Sequence, residues 1–217
     1  MLKRIKLLPL FVPFLSILLL SCGESHYRVI ESLDYELIYT ERNSYTQGAC
    51  TDGANWYLMS PTSRISYLRR VNISTGVSEL AGDGHGYAHG NGMCYNPKTG
   101  KLYIADMDGL GTISVANPET LLYESSINVF TEIGGDVSSI AYNDKSDEYV
   151  VVIHDSYDNS NPPSGFTVGT TFTAKYYAIL DSEFHLLRKY NLPNNYMINQ
   201  GIECDDDLIY FTYSNVD

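Results

Sequence analysis

One segment, residues 89–106, constrains the fold of this 217-residue chain more than any other. It runs from His89 through Gly92 into the polar turn 96–100, Asn-Pro-Lys-Thr-Gly, and leaves through the apolar stretch 102–104. Apolar and aromatic residues on both sides of such a turn are typical of a β-hairpin. Weaker copies of the pattern recur along the chain, so we interpret the protein as an array of these hairpins.

The copies share a small residue in the first strand of the hairpin. These residues are Gly48, Gly92, Ser139 and Gly201, at intervals of 44, 47 and 62 positions. Each interval has room for two further strands, predicted over 65–71 and 77–80, over 112–115 and 121–129, and over 174–180 and 184–190. Four strands per unit at a period of ~40–50 residues is the signature of a β-propeller blade. The longer third interval contains a polar loop insertion over residues 157–173.

The predicted fold is therefore all-β, a β-propeller of four-stranded antiparallel blades with about four blades present. A β-sandwich also consists of short strands separated by turns, but the recurrence of one pattern favours the propeller. Three whole units, strands over 27–42 and a last hairpin over 200–211 do not complete a ring. Either residues 27–40 close a small ring by pairing with the last hairpin, or the chain is truncated at its C-terminus, which is the alternative we favour.

Residues 1–21 have the layout of a secretory signal, with basic residues before an apolar run. That run is too short for a transmembrane helix, which needs ~20 residues. The sequence Leu-Leu-Ser-Cys at 19–22 resembles the bacterial lipobox. The resemblance implies lipidation of Cys22, a tether over residues 22–26, and an extracytoplasmic protein anchored by lipid in a bacterial membrane. The blades predicted from the repeat would then occupy residues 27–217. An ordinary secretory signal with an incidental cysteine is the alternative.

The charge balance excludes one class of partner. The chain has 14 basic and 26 acidic residues, a net charge of −12. Without the three basic residues of the leader the balance is 11 − 26 = −15. An acidic surface repels a phosphate backbone, so we expect no nucleic-acid partner.

A glycine-rich connection over residues 81–92 contains His85 and His89. Connections that enter the innermost strands of a propeller gather at the mouth of its channel, and glycines allow a ligand to approach the backbone. The alternative is a flexible crossover in which a histidine bonds to backbone. A glycine-rich loop does not hold two histidines on one face, so neither a metal nor another cofactor is predicted.

Other candidates come from the repeat itself. An amide precedes the small residue in three units, at Gln47, Asn91 and Gln200. These amides either contact a polar ligand such as a sugar or peptide, or connect one blade to the next. Glu203 occupies the repeat position at which two other units have small cysteines, Cys50 and Cys94, so we expect a perturbed pKa for this acid.

Asp106 begins the sequence Asp-Met-Asp-Gly, which resembles the start of a calcium loop but has no third acid in step. We interpret it as a β-turn in which the aspartate bonds its own backbone. The predicted ligand-binding residues are Gln47, His85, His89, Asn91, Asp106, Gln200 and Glu203.

Two short segments resemble known propeller families. Residues 45–48, Tyr-Thr-Gln-Gly, followed by Trp-Tyr-Leu at 56–58, resemble the Phe-Thr-Gln-Gly segment of propeller-type glutaminyl cyclotransferases. Residues 91–106 are similar to the blade signature of NHL-repeat propellers. Both likenesses are specific for blades and not for an activity, so no catalytic set is implied. The expected function is a ligand- or partner-binding module; the alternative is a secreted enzyme (a lyase, hydrolase or cyclotransferase) that acts on sugars or peptides.

Overall fold

The structure, a computed structural model, describes residues 47–62, 65–83, 85–107, 109–154, 156–157, 167–168, 174–192, 198–205 and 207–214. All of them belong to the second of two units of the chain, Leu37–Asp217. Most of the described residues form antiparallel β-strands, with one helix of four residues, α1 (Phe130–Ile133). The predicted leader, Cys22, the tether and the strands expected over residues 27–42 lie outside the described residues.

The strands form consecutive four-stranded sheets, as the repeat predicted, and we call each sheet a blade. Blade 1 consists of β1 (Ala49–Thr51), β2 (Asn55–Thr62), β3 (Ile65–Asn72) and β4 (Ser78–Leu80), and the short β5 (Tyr87–Ala88) also pairs with β3. Blade 2 consists of β6 (Gly90–Asn96), β7 (Lys101–Asp106), β8 (Thr112–Ala116) and β9 (Tyr123–Asn128). In both blades each strand pairs with the next one along the chain, which is the meander expected of a propeller.

Blade 3 has the same order with an insertion. It consists of β10 (Asp136–Asn143), β11 (Glu148–His154), β14 (Ala174–Leu180) and β15 (Leu186–Asn191). Between its second and third strands, β12 (Ser156–Tyr157) and β13 (Thr167–Val168) form a parallel pair. The described part of blade 4 is a hairpin of β16 (Ile198–Asp205) and β17 (Leu208–Ser214). The described blades form an incomplete ring.

The first strands of blades 2, 3 and 4 are irregular at one repeated position. In blade 2, Gly90 pairs with Asp106 and Gly92 with Ala105, so that Asn91 is an extra residue in β6. The same shift leaves Ser138 extra in blade 3 and Gln200 extra in blade 4. A bulge of this kind bends the strand and changes the direction of its side chains. The residue before the repeated small residue is therefore structurally special in each of these blades.

The repeated small residues are required because the first strands of neighbouring blades nearly touch. A Cβ atom on Gly48 would lie 3.2 Å from the Cα of Gly92. A Cβ atom on Gly92 would lie only 2.7 Å from the Cα of Ser139. These contacts involve backbone atoms, which cannot rotate away as a side chain can. The first strands of blades 1, 2 and 3 thus gather side by side, as inner strands around an axis.

Apolar residues alternate along the second strands, and each set packs against a different neighbour. In β7, Leu102 and Ile104 belong to the core between blades 1 and 2, whereas Tyr103 and Ala105 belong to the core between blades 2 and 3. The strand β11 likewise alternates between the second core and a third one, between blades 3 and 4. Because side chains alternate with period two, both faces of these sheets are buried. Two layers packed face to face would each leave one face open, so this packing rules out the sandwich.

Polar contacts between turns repeat from blade to blade. The Lys98 Nζ atom lies 3.5 Å from an Asp147 carboxylate oxygen, which joins blade 2 to blade 3. The Lys145 Nζ atom lies 3.1 Å from Asp207, which joins blade 3 to blade 4. Within the described ranges, no helix is both long enough and apolar enough to cross a bilayer.

Candidate functional site

Each blade has two ends with different connections. We call the end at which the inner strands begin the crossover end, because the connections from one blade to the next arrive there. The opposite end carries the turns between first and second strands, and we call it the hairpin end. Most of the predicted ligand residues lie near the crossover end, since Gln47, His89 and Asn91 precede or begin the inner strands and Asp106 ends β7.

Gln47 and His89 contact each other across blades 1 and 2. The amide Nε2 atom of Gln47 lies 2.8 Å from Nε2 of His89. An amide nitrogen only donates, so Nε2 of His89 is the acceptor of this hydrogen bond. The other amide atom, Gln47 Oε1, is buried and has no hydrogen-bond partner among the described residues. The structure therefore brings together two of the predicted residues.

Asn91 connects blade 2 to blade 3. Its side chain is 3 % exposed, and its Nδ2 atom donates a hydrogen bond of 2.9 Å to the carbonyl oxygen of Ser138. The acceptor belongs to the bulge residue of the next blade. The repeated amides were expected either to contact a polar ligand or to connect one blade to the next, and this hydrogen bond of Asn91 connects two blades. For Gln200 the structure describes the backbone alone.

Asp106 is buried between blades 1 and 2. The predicted turn is present, since Gly109 N donates to the Asp106 carbonyl oxygen at 2.7 Å. The carboxyl group, however, does not bond its own backbone as expected. Its Oδ2 atom accepts a hydrogen bond from Ser114 Oγ at 2.5 Å, and its Oδ1 atom has no partner among the described residues. Burial raises the pKa of Asp106 to about 7, although the Ser114 bond opposes the increase.

Tyr87 lies within electrostatic range of this carboxyl group, and Ser66 pairs with Tyr87. They are cross-strand neighbours in β5 and β3, and both are 1 % exposed. A Cβ atom on Gly90, which pairs with Asp106, would lie 3.5 Å from the Cβ of Tyr87. Burial raises the pKa of Tyr87, and the charges of Asp83 and Asp106 raise it further. The hydroxyl groups of Tyr87 and Ser66 also have no hydrogen-bond partner among the described residues.

The crossover end thus concentrates buried polar atoms without partners. The six such atoms at this end, which we call the crossover-end cluster, are Gln47 Oε1, Ser60 Oγ, Ser66 Oγ, Tyr87 OH, Asp106 Oδ1 and Ser139 Oγ. One further described atom of this kind, Arg69 Nε, lies in the middle of a strand. More than about 90 % of buried polar groups in proteins are hydrogen-bonded, so this concentration at one end requires an explanation.

His85 is not at the channel mouth, where we expected it. Its ring stacks on Tyr123 of β9 with 4.1 Å between centroids, and β9 is the outermost strand of blade 2. Asp83 holds the loop there, because its carboxylate accepts hydrogen bonds from the backbone nitrogens of His85 (3.0 Å) and Tyr123 (3.1 Å). The expected position was wrong because β5 pairs with the third strand of blade 1 and directs the loop outward. A role of His85 in ligand binding stays a prediction.

Glu203 occupies the position that the repeat assigned to it. It pairs with Tyr210, as Cys50 pairs with Tyr57 and Cys94 with Tyr103. Desolvation raises the pKa of Glu203, as its position among small residues led us to expect. Burial is the main cause that raises the pKa of the Cys50 thiol, and the charge of Glu203 is the second. The inner strands of blades 1 and 4 therefore lie within electrostatic range of each other.

Only one group of residues brings possible metal ligands close together in the described part of the chain. Asp181, Glu183 and His185, in the last turn of blade 3, place one ligand atom each within 4.8 Å of one another. Glu183 and His185 are exposed, and Asp181 already bonds the backbone nitrogens of both. Acidic turns of this kind are common without a metal.

Sequence reasoning missed a cleft at the hairpin end. It has a volume of about 470 Å³ and lies between blades 1 and 2. Its lining includes Tyr57 and Arg70 of blade 1 and Tyr95 and Lys101 of blade 2. None of the predicted ligand residues lines it. No local motif could have revealed this cleft, because its residues come from separate strands and turns; a charged arginine within a strand was the only sequence signal.

No protein-family model matches this sequence, and no curated protein matches it. Among solved structures, the chain is similar to a structural-genomics protein of unknown function from Bacteroides thetaiotaomicron, with a TM-score of 0.53 and 11% identity over 78% of this chain. It is also similar to the WD40 repeats of RRP9, with a TM-score of 0.50 and 8% identity over 81% of this chain. The chain covers 39% and 47% of those two proteins.

A glutaminyl cyclase from Myxococcus xanthus has a TM-score of 0.48 and 14% identity, with 79% of this chain and 68% of that chain covered. At identities this low, structural similarity shows the fold alone. WD40 repeats form β-propellers, which agrees with the architecture derived above.

Proposed function

We propose that this protein is a lipid-anchored, extracytoplasmic bacterial β-propeller whose crossover end binds a ligand or a partner. The observation that carries the proposal is the crossover-end cluster of six buried polar atoms without partners. A buried group without a hydrogen bond costs about 1–3 kcal/mol, and a polar molecule that bonds several of these atoms recovers part of that cost. The contacting residues in this proposal are Gln47, His89, Asp106 and Gln200, with a sugar or a peptide as the ligand.

The anchoring part of the proposal rests on the sequence. Residues 19–22 resemble a lipobox, and Cys22 would become the lipidated N-terminus. A single acyl chain binds a membrane only marginally, so stable anchoring requires the several chains that such a modification supplies. The test is incorporation of radioactive palmitate during expression in bacteria, followed by separation of membrane and soluble fractions. Label and membrane association should both disappear in Cys22→Ala; an unlabelled wild-type protein would disprove the anchor.

The binding part is tested separately, on the purified full chain. A thermal-shift screen with neutral sugars and dipeptides identifies ligands, and the affinity of each is then measured in Gln47→Ala and His89→Ala. Each substitution should weaken binding at the crossover end by about five- to tenfold, because each removes one polar contact. The matched control is Glu79→Gln, on β4 of blade 1, which should bind like the wild type. Ligands whose affinity neither crossover-end substitution alters would refute this location.

One observation favours the enzyme as a second candidate function. Asp106 has its pKa raised to about 7, close to the pH at which a general acid or base is most effective. In this alternative the protein is a secreted propeller enzyme that acts on sugars or peptides. Incubation with the ligands found in the screen should then yield products, and Asp106→Asn should abolish turnover while binding persists. Turnover that survives in Asp106→Asn would exclude Asp106 as the acid.

A further inference from the structure

The cleft at the hairpin end has the dimensions of a small-molecule site. Its volume of about 470 Å³ lies within the range of ~300–1,000 Å³ that is usual for ligand pockets. One wall consists of the paired residues Tyr57 and Arg70 on blade 1, and Tyr95 of β6 contributes to the other. The turn Asn117–Glu119 of blade 2 closes one side, where Arg70 Nη1 donates to the Pro118 carbonyl oxygen at 3.1 Å.

The two cationic side chains of the cleft, Arg70 and Lys101, are already paired with carboxylates. Arg70 uses Nε and Nη2 on the carboxylate of Glu79, and Nη1 on two backbone carbonyl oxygens. Lys101 Nζ lies 2.6 Å from a carboxylate oxygen of Glu124. An anionic ligand would have to break one of these ion pairs to find a cation. A cationic ligand would find the Glu119 carboxylate, which also lines the cleft, without breaking either pair.

The carboxylate of Asp52, which also lines the cleft, is occupied as well. One of its oxygens accepts hydrogen bonds from the backbone nitrogens of Ala54 and Asn55, at 2.8 and 2.7 Å. The other oxygen accepts a hydrogen bond of 2.7 Å from the hydroxyl group of Tyr57. Hydrogen bonds to the charged form hold the pKa of Asp52 below its ordinary value, although desolvation acts in the opposite direction.

Three polar groups in the lining keep hydrogen-bonding capacity. The Tyr95 hydroxyl group and the Glu119 carboxylate make no hydrogen bond to the residues described here, and the Lys101 ammonium group has three donors of which Glu124 takes one. Tyr95 also presents a half-buried aromatic ring. The open positions are thus both donors and acceptors, next to an apolar ring surface.

We propose that this cleft binds a saccharide of one or two sugar rings that carries no negative charge. Each hydroxyl group of a sugar both donates and accepts, which matches the mixed donors and acceptors that remain open. The C–H face of a sugar ring packs on an aromatic side chain, which Tyr95 supplies. An anionic group is disfavoured because the cations of the lining, Arg70 and Lys101, are paired within the protein, and the carboxylates of Asp52 and Glu119 add negative charge. This site lies at the opposite end of the blades from the proposed crossover-end site and does not depend on it.

The experiment uses the purified full chain and probes that differ mainly in charge. N-acetylglucosamine and maltose are the neutral probes, glucosamine is the cationic one, glucuronate the anionic one, and alanyl-alanine represents a peptide. Saturation-transfer NMR detects binding, and titration gives each Kd. The neutral sugars and glucosamine should each bind at least about tenfold more tightly than glucuronate. Tyr95→Phe should weaken sugar binding by about fivefold through the lost hydroxyl group, and Tyr95→Ala more strongly through the lost ring.

The controls separate this cleft from the rest of the molecule. Tyr210→Ala removes an exposed tyrosine of blade 4 and should leave the affinity for these sugars unchanged. Equal affinity for glucuronate and the neutral sugars would overturn the inference, as would binding of the dipeptide alone. So would the absence of sugar binding by folded wild-type protein at about 10 mM probe. Sugar binding that Gln47→Ala weakens and Tyr95→Ala does not would also overturn it, while supporting the crossover-end site.

Discussion

The pH dependence of stability should reveal the buried carboxyl group of Asp106. This group is 4 % exposed and has a folded-state pKa of about 7, against an ordinary value of 3.8. A group with a raised pKa holds its proton more tightly in the folded state than in the unfolded state. Its contribution to stability is therefore complete below about pH 4 and is lost as the pH rises through 7. The full difference corresponds to about 4 kcal/mol, an upper bound.

The substitution Asp106→Asn removes this ionisation and keeps the shape of the side chain. Between pH 5 and pH 8 the wild type should lose about 2–3 kcal/mol of unfolding free energy relative to the variant. The assay is urea denaturation of both proteins at a series of pH values, since the difference between them cancels the titration of all other groups. Asp147→Asn is the matched control. Hydrogen bonding from Tyr142 lowers the pKa of Asp147, so that group stays ionised over this range.

Parallel pH profiles for the wild type and Asp106→Asn would refute the reasoning. They would mean that Asp106 is ionised in the folded protein at pH 5, and hence that its carboxylate is solvated or paired. If the unfolding free energy of Asp147→Asn diverged from that of the wild type above pH 5, the difference between the wild type and Asp106→Asn could not be assigned to the ionisation of Asp106.

Three further outcomes follow from the packing. Gly92→Ala should lower the free energy of unfolding by about 1–3 kcal/mol, because the new Cβ atom would lie 2.7 Å from the backbone of blade 3. Gly82→Ala is the control: a Cβ atom there would have no atom within 4 Å, so the free energy of unfolding should change by less than about 0.5 kcal/mol. Equal effects in urea denaturation would contradict the close approach of the inner strands. Asn91→Ala should cost about 1–3 kcal/mol in the same assay because it leaves a buried carbonyl oxygen unpaired, and a neutral effect would argue against the bond between blades. The thiols of Cys50 and Cys94 are buried with raised pKa values, so dithionitrobenzoate should modify them at pH 8 only after unfolding; rapid reaction in the folded protein would contradict their burial.

The blade pattern was predictable because its determinants are local. Turn residues such as those at 96–100 set the position of a hairpin, and alternating apolar residues set its strands. The recurrence of Gly48 and Gly92 at equivalent positions also indicated a contact between blades. Both residues are small because the inner strands of neighbouring blades lie too close together for a side chain. The strand bounds in blades 1 to 3 accordingly agree with the prediction to within a few residues.

The surroundings of the individual site residues could not be predicted in this way. Asp106 is buried because Gly90 and Ser114 lie beside it in neighbouring strands, and no feature of residues 106–109 indicates that. His85 lies on the outer strand because β5 pairs with β3. This pairing involves only two residues of β5, too few to produce a periodic pattern of apolar residues in the sequence. The cleft depends on Arg70 reaching across to the next blade. These features come from contacts between distant segments, which a local pattern does not encode.

The propeller consists of consecutive sheets packed side by side around an axis, and both proposed sites depend on this arrangement. Zero-length carbodiimide cross-linking of the folded protein tests this most directly, because it joins only amines and carboxylates that are already in contact. Lys98 and Asp147 (3.5 Å) and Lys145 and Asp207 (3.1 Å) should be joined, and mass spectrometry of the digested protein identifies the linked peptides. Links between each turn and that of the next blade are the expected result. Absence of both links from folded protein that cross-links elsewhere, or links that skip a blade, would contradict the propeller.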